Sequence, residues 1–138
     1  MLHFAGRGIA RGTGSGELLV SPAPISFLSG VDPDTGMVVE TGHPLQGQKI
    51  AGKVLAFPYG KGSTVGSYVL YAMSRNGNAP VAIINDEAEP IIATGAIIAK
   101  IPMVDRIGIS VSRLRSGARV MVDGVTGSVV YDGEILPA

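Results

Sequence analysis

A glycine-lined turn between a short apolar segment and a helix-like segment constrains the fold of this chain most strongly. Val54–Phe57 is a continuous apolar run that is typical of a buried strand, and Pro58 ends it. After the turn, apolar residues recur at i, i+3, i+4, i+7 and i+8, which predicts a helix over residues 63–75. The turn itself, Tyr59-Gly60-Lys61-Gly62-Ser63-Thr64, therefore brings a serine and a threonine to the start of a helix.

Ser63 has two interpretations at that position. The first residues of a helix expose N–H groups that have no acceptor in the helix, and the positive end of the helix dipole lies there, so anions bind well. A deprotonated Ser63 Oγ could there take a proton from a substrate, although an alkoxide needs those N–H groups and a nearby cation. The simpler interpretation is an N-cap, a role that serine often fills. The residues alone leave both interpretations open.

The turn resembles a phosphate-binding loop only superficially. In that motif a lysine is followed directly by serine or threonine, and a glycine stands six residues before the lysine. Here Gly62 separates Lys61 from Ser63, and position 55 is Leu55. Nucleotide hydrolysis is therefore not expected.

The charge composition bears on partners. Lysine plus arginine and aspartate plus glutamate number 11 each, so the formal net charge is zero. A neutral chain is a poor ligand for nucleic acid or an anionic membrane. Charged residues make up only 16% of the chain, whereas about a quarter is usual. We expect another protein to cover part of the surface.

Several kinds of chemistry are excluded by residues that the chain lacks. It has no cysteine, so it offers no disulfide, no thiol nucleophile and no thiolate for an iron–sulfur cluster. Its two histidines, His3 and His43, are too far apart for a recognisable metal motif. No segment approaches the roughly 18 apolar residues of a membrane span, and the first residues do not form a signal peptide. We therefore expect a cytoplasmic protein.

Two further residues are candidates for substrate binding. His43, before Pro44, lies in a predicted loop, where it could bind a substrate oxyanion or simply be a surface residue. Arg106 follows Asp105 at the end of an apolar segment. Its planar guanidinium suits a carboxylate or a phosphate, and the alternative is a surface ion pair of small consequence.

The rest of the chain predicts a strand-rich domain. Strands are expected over residues 2–10, 18–20, 37–39, 53–57, 81–84 and 101–104, with a closing hairpin over 119–124 and 127–131. A second helix is expected over residues 90–99, because proline suits a first helical position. About seven or eight strands and two helices indicate a single α+β domain over residues 1–138, without a βα alternation throughout.

Seven segments occur in an order that is more specific than any one of them. They are 16–21 (GELLVS), 25–36 (ISFLSGVDPDTG), 43–48 (HPLQGQ), 58–68 (PYGKGSTVGSY), 78–80 (NAP), 95–99 (GAIIA) and 101–105 (IPMVD). In these motifs the chain resembles the small swivel-domain proteins of the aconitase X family, over about residues 4 to 130. It departs from the family pattern at Ser29, Tyr59, Lys61 and Thr64. Lys61 replaces an arginine, and a lysine lacks the bidentate fork of that residue.

The resemblance implies a fold and an activity. The fold would be the swivelling β/β/α domain of aconitase. The chain would be the small subunit of a heterodimeric hydro-lyase that dehydrates (R)-5-phosphomevalonate, a small phosphorylated hydroxy acid, to trans-anhydromevalonate 5-phosphate in the archaeal mevalonate route to isoprenoids. A large subunit would hold a [4Fe–4S] cluster, so this chain would bind no metal and would be inactive alone.

The resemblance also implies that Ser63 would be the proton acceptor. Beside it, the residues themselves offer Gly62, Lys61, Thr64, His43 and Arg106 as candidates for contacting the substrate. Two alternatives remain. The enzyme could dehydrate a hydroxyproline instead, or the chain could be a non-catalytic binding or assembly module in which Ser63 only caps a helix.

Overall fold

Two layers of β-strands and one layer of helices form the fold in the computed structural model, which describes residues 1–138. The strands are β1 (Leu2–Ala5), β2 (Arg7–Ala10), β3 (Thr13–Val20), β4 (Val31–Asp32), β5 (Met37–Val38), β6 (Val54–Phe57), β7 (Ala82–Asn85), β8 (Met103–Asp105), β9 (Arg119–Asp123) and β10 (Ser128–Asp132). The helices are α1 (Phe27–Gly30), α2 (Val65–Arg75) and α3 (Pro90–Ala99), with a 3-10 turn at Val111–Arg113. The α+β prediction is confirmed.

Strand β3 joins the two β layers. The strand order is β1-β10-β9-β3-β6-β7-β8-β2. Residues 13–17 of β3 pair antiparallel with β9, and residues 18–20 pair parallel with β6. Strands β3, β6, β7 and β8 run parallel to one another, so their carboxyl ends lie at one edge of the sheet. In such sheets, ligands bind outside that edge.

The parallel strands are buried on both faces, which explains their continuous apolar sequences. In β6, Val54 and Ala56 pack into the core between the two sheet layers, whereas Leu55 and Phe57 pack into the core beneath the helices. The core beneath the helices also contains apolar residues of α2 and α3, among them Leu70, Met73, Ile92 and Ala96. Because α2 and α3 both pack on this face, the βαβαβ unit brings their N-termini to the carboxyl edge of the sheet.

Most predicted boundaries are close to the observed ones. Helix α3 has the predicted bounds, and α2 begins two residues later than predicted. The predicted strand over residues 2–10 is two strands, because Gly6 interrupts it. A Cβ at Gly6 would lie 2.5 Å from the Asp105 carbonyl oxygen, so only glycine fits at this crossing. None of the helices has the length and apolar character that a bilayer crossing requires.

Candidate active site

The loop of residues 58–64 follows β6 at the carboxyl edge of the sheet. Two backbone contacts hold it against Ile25, since the Ile25 N–H donates to the Tyr59 carbonyl at 3.4 Å and the Lys61 N–H donates to the Ile25 carbonyl at 3.0 Å. The Asp86 N–H, just after β7, donates to the Pro58 carbonyl at 3.0 Å. The loop is thus tied at its start and middle, and its last residues project from the edge.

Two glycines allow the loop to follow this path. A Cβ on Gly60 would overlap Ile92 Cγ1 in the first turn of α3. Gly62 has a φ of +99°, and a Cβ there would lie 2.7 Å from Ser26 Oγ. Larger residues would push the loop away from the sheet edge. The glycines therefore set the position of Ser63.

Ser63 is exposed and caps helix α2. Its Oγ accepts a hydrogen bond from the Val65 N–H at 3.1 Å, and its carbonyl accepts from the Gly66 N–H at 2.9 Å. Thr64 already has helical dihedral angles, with φ −58° and ψ −22°. Ser63 therefore caps the helix, as the N-cap interpretation predicts. Capping occupies only one lone pair of the Ser63 hydroxyl, which keeps its proton and a second lone pair for other hydrogen bonds.

Two N–H groups next to this hydroxyl along the chain have no backbone acceptor, as expected at a helix start. The N–H groups of Ser63 and Thr64 donate to no backbone carbonyl of the chain. Thr64 is exposed, and with Ser67, Tyr68, Pro90, Ile91 and Thr94 it lines a shallow cavity of about 280 Å3 between the first turns of α2 and α3. An anion beside Ser63 would meet the positive end of an 11-residue helix.

Lys61 lies in the same loop but already has a counterion. Its Nζ lies 3.3 Å from Glu40 Oε2, and both side chains are partly exposed. The pair brings the segment after β5 against the loop. A substrate anion would have to share Lys61 with Glu40.

His43 is buried rather than on the surface, with 7% of its area exposed. Its Nδ1 accepts from the Leu45 N–H at 3.0 Å, so its Nε2 is the protonated nitrogen that donates to the Pro24 carbonyl at 3.0 Å. Both ring nitrogens are therefore in use within the chain. Binding of a substrate oxyanion by His43 remains a prediction, and it would require one of these bonds to break.

Arg106 lies at the same edge of the sheet, after β8, with a positive φ of 54°. Its Nε and Nη2 donate to Glu87 Oε2 and Oε1 at 2.9 and 2.6 Å. These hydrogen bonds raise the pKa of Arg106 and lower the pKa of the Glu87 carboxyl. The planar fork predicted to hold a substrate anion thus already holds a carboxylate of this chain.

Two buried polar residues at this edge were not predicted. Asp105 accepts from Arg7 Nε and Nη2 at 2.9 and 2.7 Å and from the Ala88 N–H at 2.8 Å, which raises the pKa of Arg7. Asn85 Nδ2 donates to the Phe57 carbonyl at 3.0 Å, while its Oδ1 has no partner. These contacts fix the ends of β6, β7 and β8 beneath the candidate site. The only signal in the sequence is their place at the ends of apolar segments.

The structure places the six predicted site residues in three groups. Gly62, Ser63 and Thr64 form the projecting end of the loop, with Lys61 just before them. Arg106 lies two strands away along the same edge, and His43 is hydrogen-bonded to the carbonyl of Pro24, the residue before Ile25, whose backbone contacts the loop. No group of three or more histidine, cysteine, aspartate or glutamate side chains is placed to hold a metal ion.

Comparisons with known proteins identify the family. The family model of the aconitase X swivel domain matches residues 3–131. The phosphomevalonate dehydratase small subunit of Thermococcus onnurineus is 63% identical over 128 residues, covering 93% of this chain and 97% of that protein. The protein of the same name from Methanosarcina acetivorans is 58% identical over 129 residues, covering 93% and 90%.

A solved structure agrees with these relatives. The crystal structure of Thermococcus kodakaraensis aconitase X in its holo-form superposes with a TM-score of 0.91 at 53% identity, covering 96% of this chain and all of that chain. The β/β/α swivel fold expected from the ordered motifs is thereby confirmed. The chain belongs to the aconitase X swivel-domain family.

Proposed function

We propose that this chain is the small subunit of a dehydratase that removes water from (R)-5-phosphomevalonate, and that Ser63 is its proton acceptor. Relatives at 51% to 63% identity over most of the chain carry the name phosphomevalonate dehydratase small subunit, which supports this activity. The observation that carries the role of Ser63 is its position. It is an exposed hydroxyl at the start of a helix, at the end of a glycine-shaped loop.

Dehydration requires a group that takes a proton from carbon as the hydroxyl leaves the substrate. An alkoxide at Ser63 would do this, and the Val65 N–H at 3.1 Å already points at its oxygen. The start of helix α2 adds its positive end, and the N–H groups of Ser63 and Thr64 are available nearby. His43, predicted to bind a substrate oxyanion, has both ring nitrogens in hydrogen bonds within the chain.

The rest of the site would come from a larger partner. With no cysteine and no group of metal ligands, the residues of this chain do not fit an iron–sulfur cluster, so a [4Fe–4S] cluster would be held by the large subunit. When bound there, the cluster would supply a Lewis acid for the leaving hydroxyl. This chain would then orient the proton acceptor and exclude water, and would show no activity alone.

Contacts to the substrate anions remain part of the proposal. Gly62 and Thr64 would present backbone N–H groups, and Lys61, His43 and Arg106 would bind oxyanions after exchanging their present partners. The product would be trans-anhydromevalonate 5-phosphate, and the heterodimer would work in the cytoplasm, because a phosphorylated substrate does not cross a bilayer unaided.

Replacing Ser63 with alanine tests the assignment. In the assembled heterodimer, we expect Ser63→Ala to lower turnover of phosphomevalonate by about 100-fold to 10,000-fold, as loss of a general base does. Loss of the cap to Val65 should cost only about 1 kcal/mol of unfolding free energy. Steady-state kinetics and denaturant unfolding measure the two effects separately.

Ser67→Ala is the matched control. Ser67 lies in the same first turn, is buried, and donates from its Oγ to the Thr64 carbonyl at 2.8 Å. The control should lose stability but keep its turnover. Near wild-type turnover of Ser63→Ala would contradict the proton-acceptor role and favour an assembly module, since the cap alone then explains Ser63. Turnover of a hydroxyproline but not of phosphomevalonate by the wild-type pair would contradict the substrate.

A further inference from the structure

Four charged side chains meet at the carboxyl end of β8. We call them the charge network, and its members are Arg7, Glu87, Asp105 and Arg106. Arg106 Nη2 lies 2.6 Å from Glu87 Oε1, and Arg7 Nη2 lies 3.9 Å from the same oxygen. Two guanidinium groups therefore converge on the position of one anionic group.

Arg7 is held in a fixed place within this network. Its Nε and Nη2 donate to the buried Asp105 at 2.9 and 2.7 Å. The glycines on either side of Arg7 lie against backbone, Gly6 against the Asp105 carbonyl and Gly8 against the Gly124 carbonyl, so a side chain at either position would displace the strand. The Arg7 side chain is 45% exposed, and its remaining N–H groups have no acceptor in the chain.

The backbone of Arg106 has a conformation that local structure does not require. Lys100 and Arg106 are the two residues other than glycine with a positive φ. Lys100 ends helix α3, where a left-handed residue is common. Arg106, with a φ of 54°, follows a strand instead. Backbone strain of this kind is concentrated at functional sites, and here it accompanies the turn that brings the guanidinium to Glu87.

Glu87 is the least fixed member of the charge network. Its side chain is 59% exposed, and its carboxylate accepts hydrogen bonds only from Arg106. Because an exposed ion pair adds little stability, a ligand can displace Glu87 at low cost. A phosphate group brings about two negative charges and three acceptor oxygens, so it suits the planar forks of two arginines better than one carboxylate does.

We propose that Arg7 and Arg106 clamp the phosphate of the substrate, and that Glu87 occupies this clamp until the phosphate displaces it. The inference rests on the proposed function. (R)-5-phosphomevalonate has a carboxylate at one end and a phosphate at the other, so it needs anion-binding groups at two places. The charge network provides the second place, away from the loop that carries Ser63.

The arrangement of the strands supports this assignment. Ser63 follows β6, and Arg106 follows β8, two strands further along the same edge of the sheet. With strands about 4.8 Å apart, the separation is on the order of 10 Å, comparable with the length of such a molecule. The N–H groups at the start of α3 take no part in the clamp, because Glu89 already accepts hydrogen bonds from them.

Replacing Glu87 with glutamine gives the sharpest test, because it removes the competing charge and keeps the shape. In the assembled, cluster-loaded heterodimer, we expect the KM for phosphomevalonate to fall about threefold to fivefold, the equivalent of one exposed ion pair. A purely structural Glu87 would predict an unchanged or raised KM. Glu17→Gln is the matched control, since Glu17 is similarly exposed and pairs with Lys53 elsewhere, and it should leave KM unchanged.

The arginine variants should change KM in the opposite direction. Arg106→Gln should raise the KM for phosphomevalonate about 10-fold to 100-fold, with a smaller change in kcat, and Arg106→Lys should give an intermediate value. Arg75→Gln, which removes an exposed arginine at the far end of α2, should leave KM unchanged. Mevalonate, which lacks the phosphate, should inhibit wild type and Arg106→Gln equally well. Thermal unfolding checks that each variant is folded.

Three results would overturn the proposal. A KM that Glu87→Gln leaves unchanged or raises would mean that Glu87 does not compete with the phosphate. An unchanged KM in Arg106→Gln would place the phosphate elsewhere. Equal weakening of mevalonate and phosphomevalonate by Arg106→Gln would mean that the charge network binds the carboxylate or only supports the fold.

Ser63→Ala and a binding measurement separate this inference from the proposed function. If the wild-type pair turns over phosphomevalonate and Ser63→Ala does not, while both variants of the charge network keep the wild-type KM, the function stands and the clamp is wrong. If the wild-type pair binds phosphomevalonate in calorimetry without turning it over, and Arg106→Gln weakens that binding, the clamp stands and the proposed activity is wrong.

Discussion

Helices α2 and α3 begin at the same edge of the sheet, after neighbouring parallel strands, yet their N-termini differ. At α3, Glu89 accepts hydrogen bonds from the N–H groups of Ile91 and Ile92 at 2.9 and 2.6 Å, and Pro90 has no N–H to satisfy. At α2, Ser63 accepts one bond and stays exposed. A carboxylate of the chain occupies the first N-terminus, while the second remains available for an anion from outside.

The loops before the two helices differ in the same way. The loop before α3 is held by the buried Asp105 and by the Glu87–Arg106 pair. The end of the loop before α2 is shaped by Gly60 and Gly62 and projects from the sheet. The loop before α3 is thus held by side-chain hydrogen bonds and ion pairs. The end of the loop before α2 has fewer such contacts and leaves Ser63 exposed.

The largest effect on stability should come from the loop before α3. Asp105→Ala removes a buried carboxylate that accepts three hydrogen bonds, and we expect a loss of about 2 to 3 kcal/mol of unfolding free energy. This is less than the roughly 3 to 5 kcal/mol expected of a fully buried pair, because Arg7 is half-exposed and keeps its water. Urea unfolding measures the loss. The control is Glu17→Ala, which breaks an exposed pair with Lys53 and should change the unfolding free energy little. Equal losses in the two variants would contradict the expected difference between buried and exposed pairs.

Replacing Gly62, in the loop before α2, should lower turnover. Gly62→Ala places a Cβ against Ser26 Oγ and should shift Ser63, so we expect about a 100-fold loss of turnover, the cost of a displacement of about 1 Å. Gly42→Ala is the control, because Gly42 has a similar positive φ of 80° but open space around it. Both variants should lose similar stability. A similar loss of turnover in both would mean that backbone strain, and not the position of Ser63, is responsible.

The two capping residues provide a direct comparison. Glu89→Ala removes the cap of α3 and should cost about 1 kcal/mol, as Ser63→Ala should at α2. Unlike Ser63→Ala, it should leave turnover close to wild type, because the start of α3 is not proposed to meet the substrate. Unfolding and steady-state kinetics of the two variants side by side give the result. A turnover loss in Glu89→Ala as large as in Ser63→Ala would remove the distinction between the two helix starts.

The smallest effect concerns pH. The hydrogen bond from Arg106, above all, lowers the pKa of Glu87 below its usual 4.5. A lowered carboxyl pKa stabilises the fold above pH 4.5, and this contribution disappears as the pH falls through the lowered value. The Tm of wild type should therefore exceed that of Arg106→Gln slightly at pH 7 and match it at pH 2. Because both side chains are exposed, the difference should be small. A difference that persists at pH 2 would contradict an ionic origin.

Local signals were sufficient to predict the helices. Pro90 at the first position and the apolar residues that follow it define α3. Gly77 follows the predicted end of α2 in the sequence, and the structure shows how it ends the helix. Gly77 has a φ of 75°, and the Asn78 N–H donates to the Met73 carbonyl at 2.8 Å, which closes the last turn. The place of Ser63 at the start of α2 followed from the same periodicity.

Contacts between distant residues could not be predicted in this way. Asp105 and Arg106 are neighbours in sequence and suggested a pair, but β8 ends at Asp105 and the chain turns away at Arg106, which has a positive φ of 54°. Asp105 instead pairs with Arg7, and Arg106 with Glu87. The burial of His43 likewise depends on the Pro24 carbonyl, which a distant segment supplies. Each outcome depends on the topology, which sequence periodicity does not specify.

The double pairing of β3 has a consequence for how the chain folds during synthesis. Its residues 13–17 pair with β9, about a hundred residues later, and β1 pairs with β10, the last strand to be made. The unit from β6 to β8 joins elements that are close in sequence and can form earlier. Until β9 and β10 leave the ribosome, one face of that unit stays uncovered and prone to aggregation. The Ser63 loop is therefore made before the sheet that supports it is complete, since the last two strands leave the ribosome only when synthesis is almost over.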